Sequence, residues 1–179
     1  TNHFVTQRQE FFKPEVIWEE LVGRINQVGL HSFDYITFVG NGEPTLSTSL
    51  DWFTTRIKEQ YQKPIALITN GALLYDSSVR QEIKNFDIVM PSIDAGSEEI
   101  FRRINRPHPD INYEKVMNGL VNFKNIYKGK LWVEVMLVKD LNDSVKELSN
   151  IAQSIEKISP DRVFINVPIR PPAESWVQI

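Results

Sequence analysis

Five short apolar runs recur along the chain, at 35–39, 65–68, 86–93, 131–138 and 163–167. Each is separated from the next by a segment whose apolar residues return every three or four positions, and that alternation leaves few folds open. Period-3.6 segments between runs of strand length predict parallel βαβ units with right-handed crossovers. Helices are predicted over 14–28, 49–59, 76–84, 97–104, 113–127 and 144–158. Pro14 suits a first helical position, because its missing N–H is one that a helix start leaves unpaired anyway. Asp76, Ser97 and Ser144 are N-cap residues, and Ser144 with Glu147 has the spacing of a capping box. The 105–111 stretch carries two prolines and is a loop.

Five such units in 179 residues match the spacing of a β/α barrel but are too few to close an eight-stranded one. An open doubly wound sheet is the alternative. The first element is a helix, and a strand missing before residue 1 would account for that order. The expected fold is α/β, a partial TIM-like barrel, in one domain spanning 1–179.

A net charge of −3 and a sequence pI near 5.7 give no global basic field for nucleic acid or membrane, though a local patch can hide in an acidic total. No apolar run approaches the roughly 20 residues that span a bilayer, and no signal-peptide pattern stands at the start. A cytoplasmic location is the plain expectation, with no membrane partner. The chain has no cysteine, which rules out disulfides, a thiol nucleophile and thiolate-held metal within it.

In parallel α/β folds ligands bind beyond the carboxyl ends of the strands, and there the polar residues gather. The first strand ends in Gly40-Asn41-Gly42-Glu43-Pro44 and the second in Thr69-Asn70-Gly71. The third carries Ser92 and Asp94, the fourth Lys139 and Asp140, and the fifth Asn166 and Arg170. The Gly-Asn-Gly turn lacks the lysine and spacing of a phosphate loop. Asp94 equally suits a helix cap. His3, His31 and His108 are scattered without a matching ligand motif, so no metal site is expected from them. Arg102, Arg103 and Arg106 read first as a solvated helix end and second as an anion or RNA-backbone contact.

The series Tyr35-Ile36-Thr37-Phe38-Val39-Gly40-Asn41-Gly42-Glu43-Pro44-Thr45-Leu46, Ile68-Thr69-Asn70-Gly71 and Pro91-Ser92-Ile93-Asp94-Ala95 resembles the radical S-adenosylmethionine superfamily. Three later stretches, Ile104 to Pro109, Val133 to Val138 and Arg170 to Val177, are similar to its Fe–S oxidoreductase group related to wyosine-type tRNA modification enzymes. The resemblance implies a partial barrel of six β/α units whose first strand precedes a CxxxCxxC loop. Three cysteines of that loop hold a [4Fe–4S] cluster. The chain would begin just past the loop, which accounts for both the missing strand and the missing cysteines.

The resemblance also implies a function. S-adenosylmethionine bound to the cluster yields a 5′-deoxyadenosyl radical that takes hydrogen from a substrate, with tRNA among the candidates and flavodoxin or ferredoxin as reductant. Carried over by motif, Gly40, Asn41, Gly42 and Glu43 would meet the methionine ammonium, with Asn41 standing where the family has a second glycine. Thr69 and Asn70 would lie near the methionine carboxylate, Ser92 and Asp94 near the ribose, and Asn166 near adenine. Without cluster ligands the 179 residues would be inactive by themselves, and an exposed sheet edge could pair two copies. Two readings compete. One is a non-catalytic binding module, and the other a metal-independent aldolase- or hydrolase-like barrel using Glu43 and Glu134.

Overall fold

A computed structural model describes residues 5–40 and 42–169. One sheet of five parallel strands runs in the order β1-β2-β3-β4-β5: Ile36–Phe38, Ile65–Thr69, Ile88–Pro91, Lys130–Met136 and Arg162–Asn166. Strictly consecutive order means that the chain never reverses direction across the sheet. Right-handed crossovers then put every connecting helix on the same face. This is the winding of a barrel and excludes the doubly wound alternative. The helices are α1 (Pro14–Val28), α2 (Leu50–Tyr61), α3 (Ser77–Ile83), α4 (Glu98–Asn105), α5 (Tyr113–Ile126) and α6 (Val145–Ile158).

The alternation of burial along β4 shows which face is which. Leu131, Val133 and Val135 are buried, while Trp132 and Glu134 are only partly covered. The buried set meets Leu67 and Val89 on its own sheet and Ile57, Ile83, Leu120, Phe123 and Ile151 from the helices, forming one core on the convex side. The other set lines the concave side. Tyr127, just after α5, donates its hydroxyl to the Phe86 carbonyl at 2.9 Å inside this core, and burial raises its pKa. Tyr127→Phe removes that donor and leaves a buried carbonyl unpaired. We expect it to cost about 1–2 kcal/mol in urea unfolding, with the concave face unchanged.

The edge strands depart from expectation. The 35–39 run reads as a buried strand, yet Tyr35 and Val39 are 42% and 63% exposed. All five residues of β5 are exposed, with Ile165 at 69%. Each of these strands has one neighbour in the sheet, and among the described residues no helix lies over β5, so apolar sequence there does not become buried surface. No helix among the described residues is long and apolar enough to cross a membrane.

The expected capping box is half formed. Ser144 does accept from the Glu147 amide at 3.2 Å. The Glu147 carboxylate, however, reaches across to the Gly96 amide at 2.6 Å rather than back to its own helix start. Gly96 permits this approach, since a Cβ there would stand 2.4 Å from the backbone of Asn150 and Ile151.

Candidate functional site

The register carries the concave face upward in layers. Thr37, Ala66, Ile88 and Lys130 are paired across four strands. Two residues higher stand Ile68, Met90, Trp132 and Arg162. Two residues above those, Ser92 pairs with Glu134 and Glu134 with Phe164; Met136 and Asn166 follow at the top. The polar residues therefore gather at the carboxyl ends of the strands, as the sequence predicts. A cavity of about 410 Å³ opens at the opposite end, lined by Lys58, Lys63, Asp87 and Lys130 among others. Its Lys58 and Asp87 are already paired at 3.2 Å, and it shares no residue with the polar ring.

Glu43 organises the first part of the ring. One carboxylate oxygen accepts from the Thr45 amide at 3.0 Å, the Thr45 hydroxyl at 2.6 Å and the Thr69 hydroxyl at 2.6 Å. The other accepts from the Asn70 amide at 2.7 Å. Three of these donors crowd one oxygen, and the other, with the Asn70 amide alone, keeps a second acceptor position. It ties the end of β1 to the end of β2 and caps the short helix Pro44–Leu46. Arg8 supports the same loop from below, bonding the Thr45 and Ser47 carbonyls at 2.9 and 3.0 Å while pairing with Glu82.

Thr69 is buried, and its hydroxyl also accepts from the Gly71 amide at 3.0 Å, so it too belongs to the scaffold. Asn70 is exposed and uses its carbonyl oxygen to close an Asx turn onto the Ala72 amide at 2.8 Å. Its amide N–H₂ meets no acceptor among the described residues. Gly71 turns the chain there at φ 72°, a backbone setting that other residues resist.

Ser92 donates to no group among the described residues. Asp94 is buried, and its Oδ1 accepts from the Met136 amide at 2.8 Å. Burial pushes the Asp94 carboxyl up to about 6; the Met136 amide opposes the rise, the nearby Glu134 charge adds to it and the Asn105 side chain opposes it. Asn166 donates its side-chain amide to Glu134. Gly40 and Gly42 precede Glu43, and a Cβ at Gly42 would meet nothing within 4 Å. Asn41 and Arg170 lie outside the described residues, as do His3 and the 170–177 stretch.

Asn142, which sequence reasoning passed over, and Glu147, read there only as part of a capping box, complete the mouth. Asn142, fully buried, donates to the Asp94 and Met136 carbonyls at 2.8 Å each and accepts from the Val138 amide at 2.6 Å. It knots the end of β3 to the end of β4. Glu147 fixes the turn after Asp94 through Gly96. A polar residue in the 139–143 loop was the one available signal for Asn142, and nothing in it pointed 48 residues back.

Of the two carboxylates in the acid–base reading, Glu43 accepts from Thr45, Thr69 and the Asn70 amide at the end of β2, and Glu134 accepts from Asn166 at the end of β5. Among the described residues no group of three or more His, Cys, Asp or Glu could hold a metal.

The family model described as the Radical SAM superfamily matches residues 3–152. The chain is 36% identical over 172 residues to a UPF0026 protein of Methanocaldococcus jannaschii, covering 96% of this chain and 53% of that protein. The chain thus spans about half the length of that curated relative. Among solved structures, a domain of pyruvate-formate lyase-activating enzyme from Bacteroides vulgatus superposes with a TM-score of 0.56 at 18% identity, covering 80% of this chain and 83% of that one. A radical SAM methyltransferase from Sphaerobacter thermophilus does so with a TM-score of 0.63 at 16% identity, covering 91% and 48%. At such identities the two structures speak to the fold alone.

Proposed function

The chain belongs to the radical SAM superfamily, and from that premise we propose that residues 1–179 form the S-adenosylmethionine-binding wall of a radical oxidoreductase. One observation carries the reading. Asn70 after β2, Ser92 and Asp94 after β3, and Asn166 at the end of β5 stand together at the carboxyl ends of one parallel sheet, and the Asn70 N–H₂ and the Ser92 hydroxyl meet no partner among the described residues.

This donor set fits S-adenosylmethionine. The Asn70 amide offers N–H groups to the methionine carboxylate, and the backbone carbonyls of Gly40 and Gly42 offer acceptors to its ammonium. Glu43 holds that loop in place, and its less crowded oxygen offers the ammonium a further acceptor. Ser92 and Asp94 suit the ribose hydroxyls, and Asn166 with its backbone suits the edge of adenine. The bound cofactor supplies the radical chemistry; the protein positions it and excludes water.

The same donor set does not fit a [4Fe–4S] cluster held by three thiolates, because the 179 residues contain no cysteine. A cluster ligated that way takes its ligands from residues other than these. Two outcomes test the reading together. In equilibrium dialysis the chain should bind S-adenosylmethionine weakly, and Asn70→Ala and Ser92→Ala should each weaken binding at least five-fold; unchanged affinity in both overturns the site. After anaerobic reconstitution with iron and sulfide, the chain should show no cluster absorption. A stoichiometric [4Fe–4S] spectrum overturns the assignment of its role.

A further inference from the structure

Below the mouth, the concave face carries a second and chemically different set of groups. Trp132 and Phe164 lie on neighbouring strands with ring centroids 5.5 Å apart and planes tilted by 58°. Phe164 is 38% exposed, and the buried Trp132 indole N–H has no hydrogen-bond partner among the described residues. Arg162 places its guanidinium 5.3 Å from the centre of the Trp132 ring. The neighbouring carboxylate, Asp161, is occupied by Lys124 at 3.0 Å and by the Leu131 amide at 2.8 Å. Arg162 thus rests on an aromatic face with no carboxylate neutralising it among the described residues.

The exposed Phe164 ring, beside the partly covered Trp132 and an unneutralised guanidinium, suits a flat ring that carries a negative charge. The register also orients such a ligand. Arg162 pairs with Trp132, whereas Phe164 pairs with Glu134, which in turn pairs with Ser92. An anionic substituent would point down to Arg162 and away from the Glu134 carboxylate, leaving the opposite rim of the ring facing the mouth. Strands stand about 4.8 Å apart, so a ring on Phe164 lies one strand spacing from Glu134 and two from Ser92.

We propose that Trp132, Phe164 and Arg162 form the substrate subsite, and that it takes a planar aromatic ring bearing an anionic group. This rests on the cofactor reading above for its meaning, since the rim turned toward the mouth is where chemistry would occur. A free aromatic acid and a nucleotide, alone or within a single-stranded nucleic acid, present the same chemistry.

Binding of 2-naphthoate to the 179-residue chain, followed by quenching of indole emission and assigned with Trp132→Phe, separates the outcomes. The acid should bind at least five-fold more tightly than neutral 2-naphthylmethanol. Arg162→Gln should erase that preference, and Phe164→Leu should weaken both ligands about five-fold. UMP and a single-stranded hexauridylate titrated in parallel tell a free nucleotide from a strand. Equal affinity for acid and alcohol, or indifference to both substitutions, overturns the subsite. Absence of any binding also overturns it; sedimentation across concentrations then shows whether a second copy covers the rings. S-adenosylmethionine titrated into the same unsubstituted protein reports on the cofactor reading separately, so that the two can fail independently.

Discussion

Glu43→Ala should cost about 3–5 kcal/mol of stability and abolish S-adenosylmethionine binding, the larger of the two effects expected at the mouth. The carboxylate receives four donors from three residues, two of them backbone amides. Hydrogen bonds to a charged acceptor contribute about 1.5–3 kcal/mol each where shielded, and less where water replaces them. Glu43 is partly buried, so the sum falls well below four full bonds. Loss of the clamp also frees the loop at 42–46 from the end of β2, which displaces the carbonyls proposed to face the ammonium. Glu43→Gln sharpens the test. Its oxygen can still receive the Thr45 and Thr69 groups, but its N–H₂ would oppose the Asn70 amide donor. We expect about 2 kcal/mol for it by urea denaturation. A Gln variant within about 0.5 kcal/mol of the parent would show that the Asn70 amide does not depend on a charged acceptor.

Much of the architecture was legible because it is local. Caps at Asp76, Ser97 and Ser144 are where the sequence puts them, since a side-chain oxygen meeting an amide two or three residues on is a short-range event. The strands fell within a residue or two of expectation at each end for the same reason, 86–93 narrowing to Ile88–Pro91. The short helix Pro44–Leu46 went unseen because its cap is a glutamate that also serves β2.

The site was legible as a list of residues but not as a division of labour. Motif placed Glu43, Thr69, Asn70 and Asp94 together. Only geometry shows that Thr69 bonds Glu43 and shapes the loop, whereas the Asn70 N–H₂ meets no acceptor among the described residues. Glu147 and Asn142 illustrate the limit from the other side. Their partners lie 51 and 48 residues away, and no periodicity or local spacing carries that information. Exposure of Val39 and Ile165 was hidden for a related reason: an apolar run looks the same in a central strand and at an edge.

Stability should fall as pH rises from about 4 to about 6, and Asp94 should be the cause. Its carboxyl is raised from 3.8 to about 6 in the folded protein, first by burial. Between those values the folded state holds a proton that the unfolded state has released, so unfolding is favoured progressively as pH increases. The stabilisation is full below about pH 4 and gone above about pH 6, and amounts to about 3 kcal/mol. Asp94→Asn has nearly the same shape, retains an acceptor for the Met136 amide and cannot ionise. Urea midpoints for both proteins at several pH values should therefore converge near pH 4 and separate in favour of the Asn variant by neutrality. Parallel curves would mean that the buried carboxyl titrates alike in both states. The consequence for function has the opposite sign. A ligand whose hydroxyls donate to Asp94 stabilises the ionised form, so S-adenosylmethionine should bind more tightly above pH 6 than below it. The charge that weakens the empty mouth is the one that would hold a ribose there.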